Sequence, residues 1–304
     1  MRISPNNAID AAIGSVFLER LNQIQSANVP YVLTRHEQIT SVETLNGTNT
    51  VSLSWLGHVP KARPFAGERE FAQMDAGMFT LTVSKWEASI TLPRDAFESY
   101  LGDGVRAKIR ALADELERNK VRQAVAVLAN GTNITAYDGA PLLSTARGNL
   151  TSNPLSLQTL QDGIAAMGNF KNEFGVSLQK RATHLLVGPS LEMAARQILN
   201  STTIVITGSA NAQLGSANPV AGTLELLVSY DLVGAYDDYW FLLDLSGIRP
   251  VVAGVRADRP DELIIHSDPN ISSSTFLRDE ILVGITSHFG ATAGDPYAVY
   301  AGIL

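Results

Sequence analysis

Residues 103–131 read DGVRAKIRALADELERNKVRQAVAVLANG, and this stretch contains the clearest helical pattern in the sequence. Its apolar side chains recur at a spacing that places them on one helical face: Val105, Ile109, Leu112, Leu116, Val121, Val125 and Leu128. Asp103-Gly104 begins the pattern, and Asn130-Gly131 ends it. About 26 residues form a rod of roughly 40 Å, which is long enough to act as the backbone of a domain.

A long hairpin is predicted before this helix, between Asn46 and Pro93. Asp75-Ala76-Gly77 supplies a turn between two extended limbs. The first limb, from Val59 to Phe71, is rich in charge: Lys61, Arg63, Glu68, Arg69 and Glu70. Such a limb has little apolar surface with which to fold onto its own core, and an isolated hairpin is marginally stable in water. We therefore expect this limb to contact another chain.

The N-terminal region has the pattern of an amphipathic helix rather than of a signal peptide. Ser4 and Pro5 resemble a helix start, and an apolar stripe follows: Ile9, Ile13, Phe17, Leu21 and Ile24. Two interpretations stay open, a core helix of the same domain and an arm that packs on a neighbouring subunit.

A second module is predicted after the loop from Ser144 to Asn153. It contains two helices, Leu157–Met167 and Ser190–Leu199, the latter with Ser190 as its cap. Its strands begin at His184, Thr223 and Tyr239. The composition of the stretch from Gly208 to Pro219 predicts a flexible segment. The end of the chain, from Val251 to Leu304, is again strand-like.

Composition limits the class of protein. The 304 residues are 45% hydrophobic, carry a net charge of −7, and contain no run long and apolar enough for a membrane span. The 23 lysines and arginines are scattered, whereas a nucleic-acid-binding surface needs a basic stripe. The absence of cysteine excludes disulfides and thiolate sites.

The search for catalytic, cofactor or metal motifs finds none. No histidine belongs to a ligand pair, and His184, at the start of an apolar strand, is interpreted as a core residue. Two acidic groups, Asp237-Asp238 and Asp258 with Asp261 and Glu262, lack the spacing of a calcium loop and are interpreted as solvated turns. The sequence therefore predicts no enzyme, no cofactor and no metal site.

Several strings, in order, resemble the Mu-like phage major head protein family, which has the Hong Kong 97-type capsid fold. They are WLGHVPKAR from Trp55, GER from Gly67, KWEASI from Lys85, YDGAPL from Tyr137, LLVGPSLE from Leu185 and WFLL from Trp240. The resemblance covers roughly residues 50 to 290. This chain departs from the family at Leu143 and Arg147, where an aromatic residue and a histidine are expected.

The resemblance implies an α+β fold with residues 1–50 as an N-terminal arm and 51–95 as an extended loop. Residues 96–150 form a peripheral domain with a spine helix, 151–250 an axial domain, and 251–304 further peripheral strands. The subunit-interface residues expected in the loop are Arg63, Phe65, Glu68, Arg69 and Glu70. Those expected in the arm are Phe17 and Leu21.

The implied function is that of a phage major capsid protein, which forms hexamers and pentamers of a shell. Its expected partners are scaffold, portal and decoration proteins, and it encloses double-stranded DNA without sequence-specific binding or a membrane. The resemblance also implies that the protein assembles in the host bacterial cytoplasm and is part of the virion. Two alternatives are an encapsulin-like compartment shell and, in another class, a soluble hydrolase or binding protein.

Overall fold

The computed structural model describes residues 8–26, 29–55, 77–94, 103–207, 213–268 and 279–304. The α-helices in these ranges are α1 (Ala8–Ser26), α2 (Asp103–Ala129), α3 (Leu157–Gly168) and α4 (Pro189–Asn200). The strands are β1 (Thr40–Leu45), β2 (Thr50–Trp55), β3 (Gly77–Thr82), β4 (Ser84–Pro93), β5 (Leu150–Thr151), β6 (His184–Val187), β7 (Thr203–Thr207), β8 (Gln213–Ala217), β9 (Glu225–Val228), β10 (Trp240–Leu243), β11 (Val251–Arg256), β12 (Glu262–His266), β13 (Glu280–Ala293) and β14 (Val299–Gly302). Helices and strands are mixed along the chain, so the α+β class predicted from the sequence is confirmed.

The main sheet has five strands and is organised around β13. β13 pairs antiparallel with β4, β11 and β12, and β11 pairs parallel with β1. Burial alternates along the first part of β13. Ile281, Val283 and Ile285 are buried against helices, while the residues between them face outward, as expected for a strand with one face on the core.

The second sheet joins the middle of the chain to its end. Its order is β5-β14-β10-β6-β9, with β10 between β14 and β6. All four residues of β10 are buried, as expected for a strand covered on both faces. Helices α3 and α4 cover one face of this sheet through residues such as Leu160, Met167 and Ala195.

Helix α2 links the cores beneath the two sheets. The first half of its apolar stripe, including Ile109 and Leu116, packs with α1, β4 and β13. The second half, including Val125 and Leu128, packs with Phe241 and other residues of the second sheet. The helix predicted from the 103–131 stretch is therefore confirmed, and its stripe is divided between two cores.

The predicted hairpin is described only in part. Gly77 begins β3, opposite Trp55, and β3 pairs along its length with β2, whereas Asp75 and Ala76 of the predicted turn lie outside the described residues. Within the predicted loop segment 51–95, β4 is a full member of the main sheet and pairs with β13 at ten positions. Burial of Leu92 beneath the sheet favours this arrangement. The charged limb 59–71 lies outside the described residues.

Two smaller predictions also need correction. Gly188, not Ser190, is the N-cap of α4, since Pro189 already begins the helix and the Ser190 hydroxyl bonds to Asp237 at 3.1 Å. Part of the stretch predicted to be flexible is ordered, because β8 pairs antiparallel with β7. Across the described helices, none combines the length and hydropathy needed to cross a bilayer.

Candidate subunit-contact surfaces

The sequence-based interface residues fall into two groups. Five of them lie outside the described residues: Arg63, Phe65, Glu68, Arg69 and Glu70. The structure therefore places only the base of their loop, at the ends of β2 and β3.

Phe17 and Leu21, the two predicted interface residues on α1, pack in the core of their own chain. Phe17 is fully buried and Leu21 is 6% exposed, in a cluster with Leu92 and Ile109. Arg20 Nε donates to Asp114 Oδ1 at 2.7 Å and ties α1 to α2. The core-helix interpretation thus describes this face of α1 in the single chain, and contact of these two residues with a neighbouring subunit stays a prediction.

The ribbon formed by β2 and β3 has one exposed face. It is only two strands wide, and its outward side chains on both strands are exposed. Met78 is 70% exposed, whereas Leu81 at the base is fully buried with Leu45, Val83 and Val252. At the other end of the ribbon, Gly77 lies directly against the backbone of Tyr137. The chain itself therefore covers the inward face of the ribbon and leaves the outward face exposed.

Apolar side chains are also exposed beside the second sheet. Met193 lies on α4, and Tyr230 and Val233 follow β9. Their exposed fractions are 73%, 62% and 50%. These three side chains are available for contact with another protein.

A buried group of charges, here named the α2 charge cluster, consists of His36, Glu117, Lys120 and Asp261. Lys120 Nζ donates to Asp261 Oδ2 at 2.7 Å and to Glu117 Oε1 at 3.2 Å. His36 Nδ1 lies 3.7 Å from Glu117 Oε2, and its ring meets Phe289 edge-on. The cluster joins α2 to the segment before β1 and to the segment before β12.

The charges of the cluster determine its ionisation. Burial favours the neutral form of Glu117, but His36 and Lys120 outweigh it and lower the pKa of the carboxyl to about 2. Burial likewise disfavours the ammonium of Lys120, yet Asp261 and Glu117 raise its pKa above the ordinary value. These shifts favour the charged forms of Glu117 and Lys120 in the folded chain.

This shift predicts an acid-dependent contribution to stability. Because the pKa of Glu117 is lower in the folded chain than in the unfolded one, its contribution is complete above the ordinary value of 4.5 and is lost as pH falls towards 2. Denaturant titrations of wild type and Glu117→Gln between pH 6 and pH 2.5 should show their difference in unfolding free energy shrinking as pH falls. Glu43→Gln, at an exposed position on β1, is the matched control and should show no comparable trend. A difference that is constant with pH would contradict the assignment.

Arg147, which departs from the family pattern, holds the turn at residues 137–141. Its guanidinium donates to both carboxylate oxygens of Asp138, at 2.7 and 3.1 Å, and to the Pro141 carbonyl. Partial burial favours protonated Asp138, but Arg147 keeps the pKa of that carboxyl below its usual value. The guanidinium carbon of Arg147 lies over the ring of Tyr297, 5.5 Å from its centroid. At the position where the family pattern has a histidine, Arg147 therefore has a structural role, since it binds the turn at both Asp138 and Pro141.

His184 borders a cavity of about 560 Å³ at the edge of the second sheet. Thr183 Oγ1 lies 2.8 Å from its Nδ1, and Glu225 Oε2 lies 3.3 Å from its Nε2. Burial, with Arg249 nearby, keeps the pKa of His184 below its ordinary value despite Glu225. The Thr183 hydroxyl also bonds to the backbone of Leu243 and Leu245, so this arrangement is that of a satisfied structural histidine.

Sequence reasoning missed the α2 charge cluster. Asp261 was interpreted as part of a solvated turn, although it is bonded to Lys120, 141 positions away. The available signal was the break in the apolar stripe of α2, where Glu117 and Lys120 take positions on its buried side. In the part of the chain that the structure describes, no group of three or more acidic or histidine side chains is arranged to hold a metal ion.

Comparisons with known proteins agree with this architecture. A family model described as "Phage capsid protein" matches residues 79–302, which is more than half of the chain. No curated protein matches the sequence. Among solved structures, Microbacterium phage Oxtober96 has a TM-score of 0.58 at 12% identity, over 91% of this chain and 93% of that one.

Two further structures share the fold at similarly low identity. The capsid of cyanophage P-SCSP1u has a TM-score of 0.57 at 9% identity, over 91% of this chain and 89% of that one. The capsid of the native GTA particle has a TM-score of 0.55 at 14% identity, over 92% and 94%. The family match favours a phage capsid over the encapsulin alternative. The chain therefore belongs to the phage capsid protein family, and it is a major capsid protein that forms part of the virion.

Proposed function

We propose that this capsid protein tiles the head shell of a Mu-like tailed phage as hexamers and pentamers around double-stranded DNA. The Mu-like assignment is supported by the ordered strings between Trp55 and Leu243, although Leu143 and Arg147 depart from the family pattern. The assignment to hexamers and pentamers follows from the resemblance to the Hong Kong 97-type fold.

The β2–β3 ribbon is the observation that carries the proposal. A two-stranded ribbon has marginal stability by itself, and the outward face of this one, which includes Met78, is exposed in the single chain. A second copy of the chain would supply the missing cover and bury the exposed side of residues such as Met78. Many modest contacts of this kind add up in a closed shell.

The loop between β2 and β3 provides the expected charged contacts. Arg63, Glu68, Arg69 and Glu70 would form ion pairs with a neighbouring subunit, and Phe65 would add apolar contact. Residues 96–150 and 251–304 would form the peripheral domain, with residues 151–250 as the axial domain. We expect no covalent crosslink through Lys61 or Lys85.

The charge of the chain suits a container for DNA. A strongly cationic inner wall would bind the duplex tightly, because it would release counterions from the DNA phosphates. A subunit with net charge −7 would enclose the DNA without binding it tightly. Scaffold, portal and decoration proteins would join the shell during assembly in the bacterial cytoplasm. In this role the protein needs no catalytic group, cofactor or metal.

Electron microscopy of the expressed full chain, alone and with its scaffold, tests the proposal. We expect closed particles tens of nanometres across, since particles of this kind are built from many copies joined at repeated contacts. A uniform monomer under every assembly condition would contradict it. Closed particles that retain a peptide-tagged enzyme cargo, rather than packaging DNA, would favour the encapsulin alternative.

A further inference from the structure

The base of the β2–β3 ribbon rests on two glycines of the main sheet. Gly254 of β11 and Gly290 of β13 are directly paired across these neighbouring strands. Since neither residue has a side chain, the pair leaves a shallow gap in the surface of the sheet. We name Gly254 and Gly290 the glycine seat.

The chain that leaves the ribbon fills this gap closely. A Cβ atom added to Gly290 would lie closer than 3.0 Å to the Thr82 backbone carbonyl and to its carbon, a separation that real Cβ atoms essentially never show. A Cβ added to Gly254 would meet Val83 Cγ2 at 2.8 Å and Leu81 Cδ2 at 2.9 Å. The junction between β3 and β4 is thus in direct backbone contact with the sheet.

Further contacts fix the same junction from the other strand. The Val83 amide donates to the Asn49 carbonyl at 2.7 Å, which joins the end of β3 to the residue before β2. The Asn49 side chain accepts a hydrogen bond from Arg256, at the end of β11. Both strands of the ribbon are therefore attached to the main sheet at its base.

We propose that the glycine seat sets the direction in which the β2–β3 ribbon leaves the main sheet, and that this direction determines how subunits join. The proposal rests on the proposed function, in which the ribbon contacts another subunit. A displacement at the base is transmitted along the ribbon and moves its outward face, because β2 and β3 are paired along their length. Interlocking contacts tolerate such errors poorly, since every subunit repeats the same error.

Substitutions at three glycines test the seat. Gly290→Ala places a methyl group against backbone, Gly254→Ala places one against the ends of two side chains, and Gly284→Ala is the matched control. Gly284 also lies in β13, but the one close approach of its Cβ would be to the Ser89 hydroxyl, at 2.9 Å, which can rotate away; the Ala88 carbonyl oxygen and Ser89 Cβ, both at 3.7 Å, are at ordinary contact distance. The control thus contains the same chemical change on the same strand.

We expect the yield of closed particles, counted by electron microscopy, to follow the order Gly284→Ala, Gly254→Ala, Gly290→Ala. The control should match wild type, and Gly290→Ala should lose roughly tenfold or more, because overpacking at a repeated contact affects every joint of the shell. Equal yields for Gly290→Ala, Gly254→Ala and the control would overturn the proposal. If Gly290→Ala does not fold, the milder Gly254→Ala decides the result.

Hydrogen exchange of the full chain separates this proposal from the proposed function. The Val83 amide should lose protection in Gly290→Ala and keep it in Gly284→Ala, because only the first substitution displaces the junction. If wild type forms no closed particles, the proposed function fails, and this exchange result still decides whether the seat positions the ribbon. Unchanged protection of Val83 in Gly290→Ala would overturn the seat.

Discussion

Replacing Lys120 with methionine is expected to lower the free energy of unfolding by about 3–5 kcal/mol, as for other buried ion pairs from which one partner is removed. Lys120 is 6% exposed, and it is the cation that neutralises both Glu117 and Asp261. Without it, the carboxylates of Glu117 and Asp261 lose the ammonium that they share, and Glu117 keeps only His36 beside it. Thermal unfolding of the purified full chain should show a large decrease in Tm.

Two variants distinguish the loss of charge pairing from a general disturbance of α2. Lys108→Met, at an exposed position on the same helix, should leave Tm almost unchanged. The double substitution Lys120→Met with Glu117→Gln should recover part of the loss, because it removes one of the uncompensated charges. Equal losses in Lys108→Met and Lys120→Met, or no recovery in the double variant, would contradict the role of the cluster.

Trp240→Ala is expected to cost about 3–5 kcal/mol, the range measured for large aromatic side chains removed from well-packed cores. Trp240 is fully buried in the core between the second sheet and helices α3 and α4, and its indole nitrogen donates to the Asn153 carbonyl at 3.1 Å. Its ring also lies over Gly302, where a Cβ atom would overlap the indole. The substitution leaves a cavity and an unpaired carbonyl together.

A graded series measures the two contributions. Trp240→Phe keeps most of the apolar volume but loses the hydrogen bond, so its loss of unfolding free energy should be smaller than that of Trp240→Ala. Met193→Ala, at a 73% exposed position on α4, serves as the surface control and should change Tm little in the unassembled chain. A loss for Met193→Ala as large as that for Trp240→Ala would contradict the placement of the second core.

The elements with regular local patterns were predicted well from the sequence. The α2 stripe from Val105 to Leu128 indicated a long helix with one buried face, and α3 has nearly its predicted bounds. These predictions succeeded because the spacing of apolar residues along one segment is set by the geometry of that segment. The family resemblance supplied the capsid fold, which the α+β architecture and the family match confirm.

The sequence did not decide features that depend on a distant partner. The pattern between Asn46 and Pro93 indicated a hairpin, but only packing decided that β3 pairs with β2 and that β4 enters the main sheet. The expected interface residues Phe17 and Leu21 have the same apolar pattern whether they cover their own core or a neighbour's. Sequence periodicity identifies an apolar face but not the surface against which that face packs.

The sequence by itself determined the class of the molecule: a chain of net charge −7 with a large apolar core and a long helix. Only the tertiary structure decided that Lys120 meets Asp261, that Arg147 lies over the ring of Tyr297, and that Gly254 and Gly290 lie beneath the ribbon. The physical reason is the distance along the sequence over which each feature is set. Local spacing reflects backbone geometry over a few residues, whereas charge pairing and close backbone approach depend on segments more than a hundred residues apart being brought together.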